Sequence, residues 1–423
     1  MPSLRAPFRH PTFVRYFAGQ AISQVGDFVF YVALPWQVLL LTGSAAALGE
    51  VFAVFFAAQI AFLLVGGIIV DRFPRRTLVV LSDALQGLLT AAVALLAFTG
   101  ALGMAHLYVL GGLFGAAQAF AMPALSAFLP ETVPARDLQD ANSLFQGTRT
   151  VANVAGPALG AVMIAFAGTA GAFAFDAVTF AVSAVLLATV RRAASAPPPA
   201  VPKLRPSMIA QAREGWRYVA RVPWLWITIL LFALVNAAEA GPRNVVLPTF
   251  VAIGLGGGST AIGLVLSTMA LGSLVGYLMP GFLPPIRSRG LVAYAMTALF
   301  GMSAALWGFA PSFPIILALS FVHGLAVAVF SLMWQTALME QVREDLRGRV
   351  FSLDELGSFV LMPFSLAVSG ALAEAYGSRI VFVVGGSVVM LCAAAGFFHP
   401  PAHVFENPKG PGSDSKPTLV DTK

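Results

Sequence analysis

The chain has 423 residues, of which 58% are hydrophobic and only 10% charged, and its mean hydropathy is +0.84. Soluble domains carry about 25% charged residues, so these charges cannot cover a water-exposed surface, and disorder is excluded because it needs low hydrophobicity and high charge. The composition is that of an integral membrane protein, and the net charge of +6 calls for no nucleic-acid partner once the basic residues are placed along lipid headgroups.

A spanning helix needs about 20 apolar residues, whereas a barrel strand needs about ten in alternation. The apolar runs here are long and continuous, as from Val51 to Val70, so the spans are helices. In chain order, the stretches between charged, Gly and Pro punctuation predict twelve spans: 13–41, 45–70, 77–98, 105–128, 142–166, 170–190, 223–251, 260–283, 290–310, 313–335, 351–375 and 378–398. The fold class expected is an all-α membrane protein built of two six-helix bundles. Residues 1–190 form the first bundle, 191–222 a linker, 223–398 the second bundle and 399–423 a tail. No small-residue cleavage site follows the first span, so no removable signal peptide is expected. The single cysteine, Cys392, permits no internal disulfide.

Orientation follows from charge. With Arg15 counted at the start of the first span, 22 of the 25 Lys and Arg residues fall on the side of the N-terminus, the linker and the tail, and one, Arg379, falls on the other. Positive charge marks the cytoplasmic side, so both termini are expected in the cytoplasm and the chain in the inner, or plasma, membrane. The linker carries Pro197-Pro198-Pro199 and then a basic amphipathic run, 209–222. The two halves also resemble each other. Pro130-Glu131, Asp137-Leu138 and Leu144 return as Met339-Glu340, Asp345-Leu346 and Leu353, and Pro157 returns as Pro363, at offsets of 206 to 209 residues. Six plus six helices in parallel repeat is a transporter arrangement whose site lies between the halves.

Two motifs carry a family resemblance. The loop after the second span reads Gly67-Ile-Ile-Val-Asp71-Arg72-Phe-Pro74-Arg75-Arg76. An acid and three guanidinium groups at the membrane edge can pair with neighbouring helix ends and hold that face shut. The run resembles the loop G-x-x-x-D-R-x-G-R-R of the major facilitator superfamily, with Pro74 in place of a glycine. In the fifth span, Ala152-Asn-Val-Ala-Gly156-Pro157-Ala-Leu-Gly160-Ala161 is similar to that superfamily's antiporter motif, with alanine at its first and last positions. Gly26-Asp27, Pro123, Pro130-Glu131, Asn142, Asp176 and Arg347-Gly348-Arg349 resemble the macrolide-efflux and siderophore-exporter branch. The resemblance implies a drug:proton antiporter of multidrug-efflux type, with Gly67, Asp71, Arg72, Arg75, Arg76 and Glu131 as a cytoplasmic gate. Asp71 is expected to meet the start of the eleventh span, from Arg349 to Glu355, when the cavity faces outward.

Ionisable groups within spans are costly and mark function by default. Asp27, Glu239 and Asp176 are the proton-coupling candidates, because a carboxylate can alternate between dry and wet surroundings while arginine stays charged. Asp83, Arg149 and Arg243 are read as a buried charge network, Asp83 and Arg149 being placed with the loop arginines near the inner face. His323 is read as a hydrogen-bonded structural histidine. Phe30, Tyr31, Phe120, Phe232 and Phe330 are the pocket candidates, on the first, fourth, seventh and tenth spans. None of the four lysines sits in a P-loop pattern, and neither a metal-spaced Cys/His cluster nor a nucleophile elbow is present in the sequence. No cofactor or metal is expected, and the chain is read as a monomeric transporter rather than an enzyme. The expected activity is export of a hydrophobic or amphipathic small molecule, drug- or siderophore-like, by proton antiport. A proton-independent facilitator or lipid flippase is the alternative. A polytopic membrane enzyme would need a catalytic cluster near one surface, and the scattered acids argue against it.

The charge asymmetry makes a topological prediction. A cysteine introduced in the 191–222 linker should stay unlabelled by an impermeant maleimide in intact cells and react after permeabilisation. Labelling from outside would reverse the topology.

Overall fold

The computed structural model describes residues 5–190, 208–282, 289–343 and 346–398, with side chains at all of these but 64–72 and 208–212. Every described element is helical. In a bilayer no water is available for exposed N–H and C=O groups, so a spanning segment must satisfy its backbone internally. The first half contains α1 (Pro11–Thr42), α2 (Ala45–Arg72), α3 (Arg75–Phe98), α4 (Met104–Phe128) and α5 (Leu138–Thr189). A short helix α6 (Met208–Arg221) precedes the second half. That half contains α7 (Pro223–Gly241), α8 (Gly258–Leu278), α9 (Arg289–Trp307), α10 (Phe313–Gln341), α11 (Arg347–Phe359), α12 (Met362–Tyr376) and α13 (Ser378–Phe398).

Among the described residues, eleven continuous stretches are long and apolar enough to cross a membrane. The expected twelve become eleven because the fifth and sixth spans run together as the 52-residue α5, which bends at Gly168. Its φ of 69° and ψ of −179° lie in a region that essentially only glycine enters. The eleventh span is interrupted instead. It stops at Phe359 and restarts at Met362, where Pro363 removes a donor and disfavours helix just before it. Proline also stands in the first turn of α1, α7, α10 and α12, where no intrahelical donor is lost.

Within the halves, α1 and α3 pack on α5 and α2 on α4, while α8 and α9 pack on α10 and α9 on α13. Between the halves, α2 packs on α12 and α5 on α8. These two crossings are repeat-related and both depend on the absence of a side chain. A Cβ on Gly49 would strike the Leu366 carbonyl, and one on Gly263 would strike the Pro157 carbonyl and the Ala161 methyl. Small residues let helix backbones approach closely, the main source of helix association in lipid. A shared core of Val29, Val51, Phe52, Ile262, Leu366 and Trp307 fills this end of the molecule, away from the linker.

At the linker end each half keeps its own core. Phe13, Tyr16, Val79, Phe128 and Leu187 fill one, and Leu225, Phe232, Trp334, Leu338 and Val350 fill the other. The halves are therefore joined at one end and parted at the other.

The joined end carries a helix cap supplied across the halves. Ser44 precedes α2, and its hydroxyl accepts from the Ala47 N–H at 2.9 Å and donates to Glu374 of α12. Glu374 Oε1 also accepts from the Ala46 N–H at 3.1 Å. Capping a helix start is worth about 1 kcal/mol, roughly fivefold in an equilibrium. Replacing Glu374 by alanine should shift the α2–α12 distance distribution towards separation, read by spin labels on the two helices. An unchanged distribution would remove Glu374 from the closure.

Candidate functional site

A cavity of about 520 Å³ lies between the halves beneath the shared core. Its deep wall carries Leu34, Pro35 and Pro248, and it widens towards Ser126, Asn142, Gln146 and Arg149, which are exposed at the linker end. Most of the wall comes from the first half. One side is aromatic, with Phe30, Phe52, Phe55, Phe56 and Phe114, and Phe30 stacks on Phe114 at 5.4 Å with rings 6° from parallel. The other side offers Gln118, Gln146, Asn153 and Asn244, with Asp27, Arg149 and Arg243 as charges. The surface is apolar with a few convergent polar groups, the ordinary make-up of a small-molecule pocket.

A polar seam shared by α1, α3 and the second arm of α5 reaches the cavity wall. The residues Gln20, Gln24 and Asp27 recur at helical spacing on α1, as do Asp83, Gln86 and Thr90 on α3 and Asp176, Thr179 and Ser183 on α5. Asp83 accepts from Ser183 Oγ at 2.6 Å and from Gln20 Nε2 at 3.2 Å. Asp176 is fully buried, and its Oδ1 lies against Gly26, where a Cβ would collide with it and with Thr179 Oγ1. Gln20, Gln24, Asp27, Asp83 and Gln86 of the seam line the cavity.

The second half holds a more compact network. Glu239 Oε1 meets Arg243 Nε at 2.6 Å and His323 Nε2 at 3.1 Å. His323 Nδ1 faces Ser303 Oγ and the Phe300 carbonyl, each at 3.2 Å. Arg243 lines the cavity, because α7 continues past Pro242 in a wide π turn, Pro242–Val246. Turns of this kind cluster at functional sites.

Several sequence expectations change position. Phe30 and Tyr31 line the cavity, but Phe232 and Phe330 do not: they stack on each other at 4.4 Å inside the second half's core. Phe120 turns to Phe62 of α2 at 6.1 Å rather than to the cavity. The tenth span, α10, contributes no lining residue, while α2, α3, α5 and α8 do. Helical phase decides these placements, and an all-round apolar helix does not display it. Asp83 binds Gln20 and Ser183 instead of joining loop arginines.

Of the gate residues, the side chains of Gly67, Asp71 and Arg72 lie outside the described residues. Arg75 bonds Glu131 and the Ala127 carbonyl, both at 3.1 Å. Arg289 bonds Glu340 at 2.6 Å, reproducing that pair in the second half. Arg75 is among the residues the sequence groups with Glu131, whereas no motif singles out Arg289 as the partner of Glu340. At the start of the eleventh span, Arg349 pairs with Glu214 of α6 at 2.6 Å. In the antiporter-like motif, a Cβ on Gly156 would meet Phe28 and one on Gly160 would meet the Val29 backbone, so its glycines face α1. Pro157 and Ala161 face α8. Among the described residues, no His, Cys, Asp and Glu side chains gather in threes as a metal ion would need.

The sequence profile of the Major Facilitator Superfamily matches residues 16–289 and 238–420. The chain is 27% identical over 385 residues to the multidrug efflux pump Tap of Mycolicibacterium fortuitum, covering 89% of this chain and 92% of that one. It is 26% identical over 391 residues to the enterobactin exporter EntS of Citrobacter koseri, covering 90% and 92%. Its fold matches a bacterial homologue of the iron transporter ferroportin in an inward-facing state, with a TM-score of 0.71, 17% identity and coverage of 93% and 97%.

The geometry separates pocket aromatics from core aromatics. Tyr31, 41% exposed, can be cut to alanine at little cost in stability, and this should weaken ligand binding to the cavity. Phe232→Ala should instead cost about 3–5 kcal/mol of stability with ligand affinity unchanged in the folded fraction. Thermal unfolding and ligand titration of the two purified variants test the assignment.

Proposed function

The chain belongs to the Major Facilitator Superfamily, and on that premise we propose that it exports a hydrophobic or amphipathic small molecule, drug- or siderophore-like, by proton antiport. The observation that carries the reading is the cavity between the halves, aromatic on one side and lined by amides and charges on the other. A flat or amphipathic organic compound fits such a wall, with its apolar body on the phenylalanines and its polar edge on Gln118, Gln146, Asn153 and Asn244. The efflux relatives named above support the direction and the substrate class.

The charge asymmetry of the sequence makes the linker end cytoplasmic, so the parted end is the loading side and both termini lie in the cytoplasm of a plasma-membrane protein. Rocking of the halves about the cavity then closes the linker end and opens the other. Gly67, Asp71, Arg72, Arg75, Arg76 and Glu131 form the gate that shuts the loading side. There, the carboxylate of Asp71 would accept from the free N–H groups at the start of α11, where negative charge is favoured.

The energy source in this reading is a proton exchanged at a buried carboxylate. Asp27 is the first candidate because it lines the cavity, so loading of the cavity and wetting of the acid change together. Asp176 lies behind it across Gly26, and Glu239 serves the second half.

The test is transport in proteoliposomes. The wild-type protein should accumulate a lipophilic drug against its gradient when a pH gradient is imposed, and Asp27→Asn should lose accumulation while keeping downhill exchange. Accumulation that ignores the pH gradient in the wild-type protein would instead favour a proton-independent carrier.

A further inference from the structure

His323 lies in a site that fixes its hydrogens. Ser303 Oγ donates to the Phe300 carbonyl at 2.8 Å. A hydroxyl has one hydrogen to give, so towards the ring Ser303 can only accept, as can the carbonyl. His323 Nδ1, 3.2 Å from both, must therefore be the N–H of the imidazole. A neutral ring then has a bare lone pair at Nε2. That atom faces Glu239 Oε1 at 3.1 Å, and an ionised carboxylate is acceptor-only. His323 is 0% exposed and packed between Trp307, at 4.8 Å, and Phe300, at 5.6 Å. Two lone pairs held face to face without water would cost the desolvation of both.

We propose that one exchangeable hydrogen sits between His323 Nε2 and Glu239 Oε1, and that this pair is a proton-carrying site of the second half whose occupancy is set by Arg243. The proposal rests on the proton-antiport reading above and adds to it a residue and a coupling route. Arg243 Nε lies 2.6 Å from the same Glu239 oxygen that faces His323. The positive guanidinium beside that oxygen favours the ionised carboxylate and so opposes the shared hydrogen. Arg243 is also the member that lines the cavity, with its side chain 36% exposed.

When the pair holds its hydrogen, the charge on Glu239 is partly offset and its hold on Arg243 loosens, leaving a guanidinium at the cavity wall to oppose an apolar or cationic substrate. When the hydrogen leaves, the full carboxylate charge holds Arg243 more tightly and shields the wall from it. Proton and substrate thereby exclude each other, and the coupling acts equally in both directions. The proton enters from one side of the membrane and leaves to the other; only an N–H or O–H bond forms and breaks.

Helices α1, α7, α9 and α12 bring polar or charged groups towards the pair. From α7 they are Glu239 and Arg243. The element α9 supplies Ser303, and α12 supplies Ser365 and Ser369 against Gly241. Helix α1 supplies Tyr31, which interacts electrostatically with Arg243, Arg149 and Asp27. Among the described residues no second carboxylate touches His323.

Nitrogen-15 spectra of the full chain in nanodiscs, with its five histidines labelled and His323 assigned by a His323→Asn variant, test the hydrogen directly. At neutral pH both ring nitrogens of His323 should read as hydrogen-bearing or hydrogen-sharing, and Glu239→Gln should convert Nε2 to a bare acceptor. A bare Nε2 throughout about pH 5 to 9 in the wild-type protein would overturn the proposal, and so would a spectrum indifferent to Glu239→Gln. In proteoliposomes, His323→Gln should bind drug and exchange it downhill but move fewer protons per substrate. An unchanged proton count would also overturn the site. Absence of proton-driven transport in the wild-type protein would defeat the antiport reading alone, because the spectra need no gradient.

Discussion

The two halves come closest where backbone can meet backbone. Gly49 against Leu366 and Gly263 against Pro157 are contacts that any side chain would prevent. In lipid there is no hydrophobic drive to press helices together, so such close approach supplies the cohesion. Because it occurs at one end, that end is filled by a core common to both halves and the other is split into two. The cavity is the space left where the cores diverge, and its charged residues are those that the divergence leaves facing it.

The two polar networks differ in kind. The seam on α1, α3 and α5 has three carboxyl groups: Asp83 accepts from an amide and a hydroxyl, Asp176 has one buried oxygen without a hydrogen-bond partner among the described residues, and Asp27 shares the cavity wall with Arg149. The network on α7, α9 and α10 pairs one carboxylate with one arginine and a histidine. A buried ion pair gives little net stability but is costly to break on one side. The second network is therefore suited to holding a charge in one of two places, and the first to changing its total charge. Proton exchange draws on both properties.

Much of the architecture was legible in the sequence. Apolar run length gave the spans, though two of them run together as α5, the Glu131 and Glu340 match gave the repeat, and the loop marked by its charges contains the Arg75 that bonds Glu131. What stayed hidden depends on helical phase and long-range partnership. An apolar helix without a polar stripe does not reveal which phenylalanine faces the cavity, so Phe232 and Phe330 look like Phe30. His323 and Glu239 lie 84 residues apart with no spacing rule to join them. The same holds for Gln20, Asp83 and Ser183, which three helices bring together. The fusion of two spans into α5 was invisible because Gly168 resembles any loop glycine until its backbone angles are known.

That single bend has a consequence for biosynthesis. With the two arms of α5 turning on one residue, no hydrophilic loop separates them along the 52-residue helix. The two arms are thus suited to entering the bilayer as one hairpin. Entering so, Asp176 meets the polar residues of α1 and α3, which precede it in the chain, without crossing the lipid on a helix by itself.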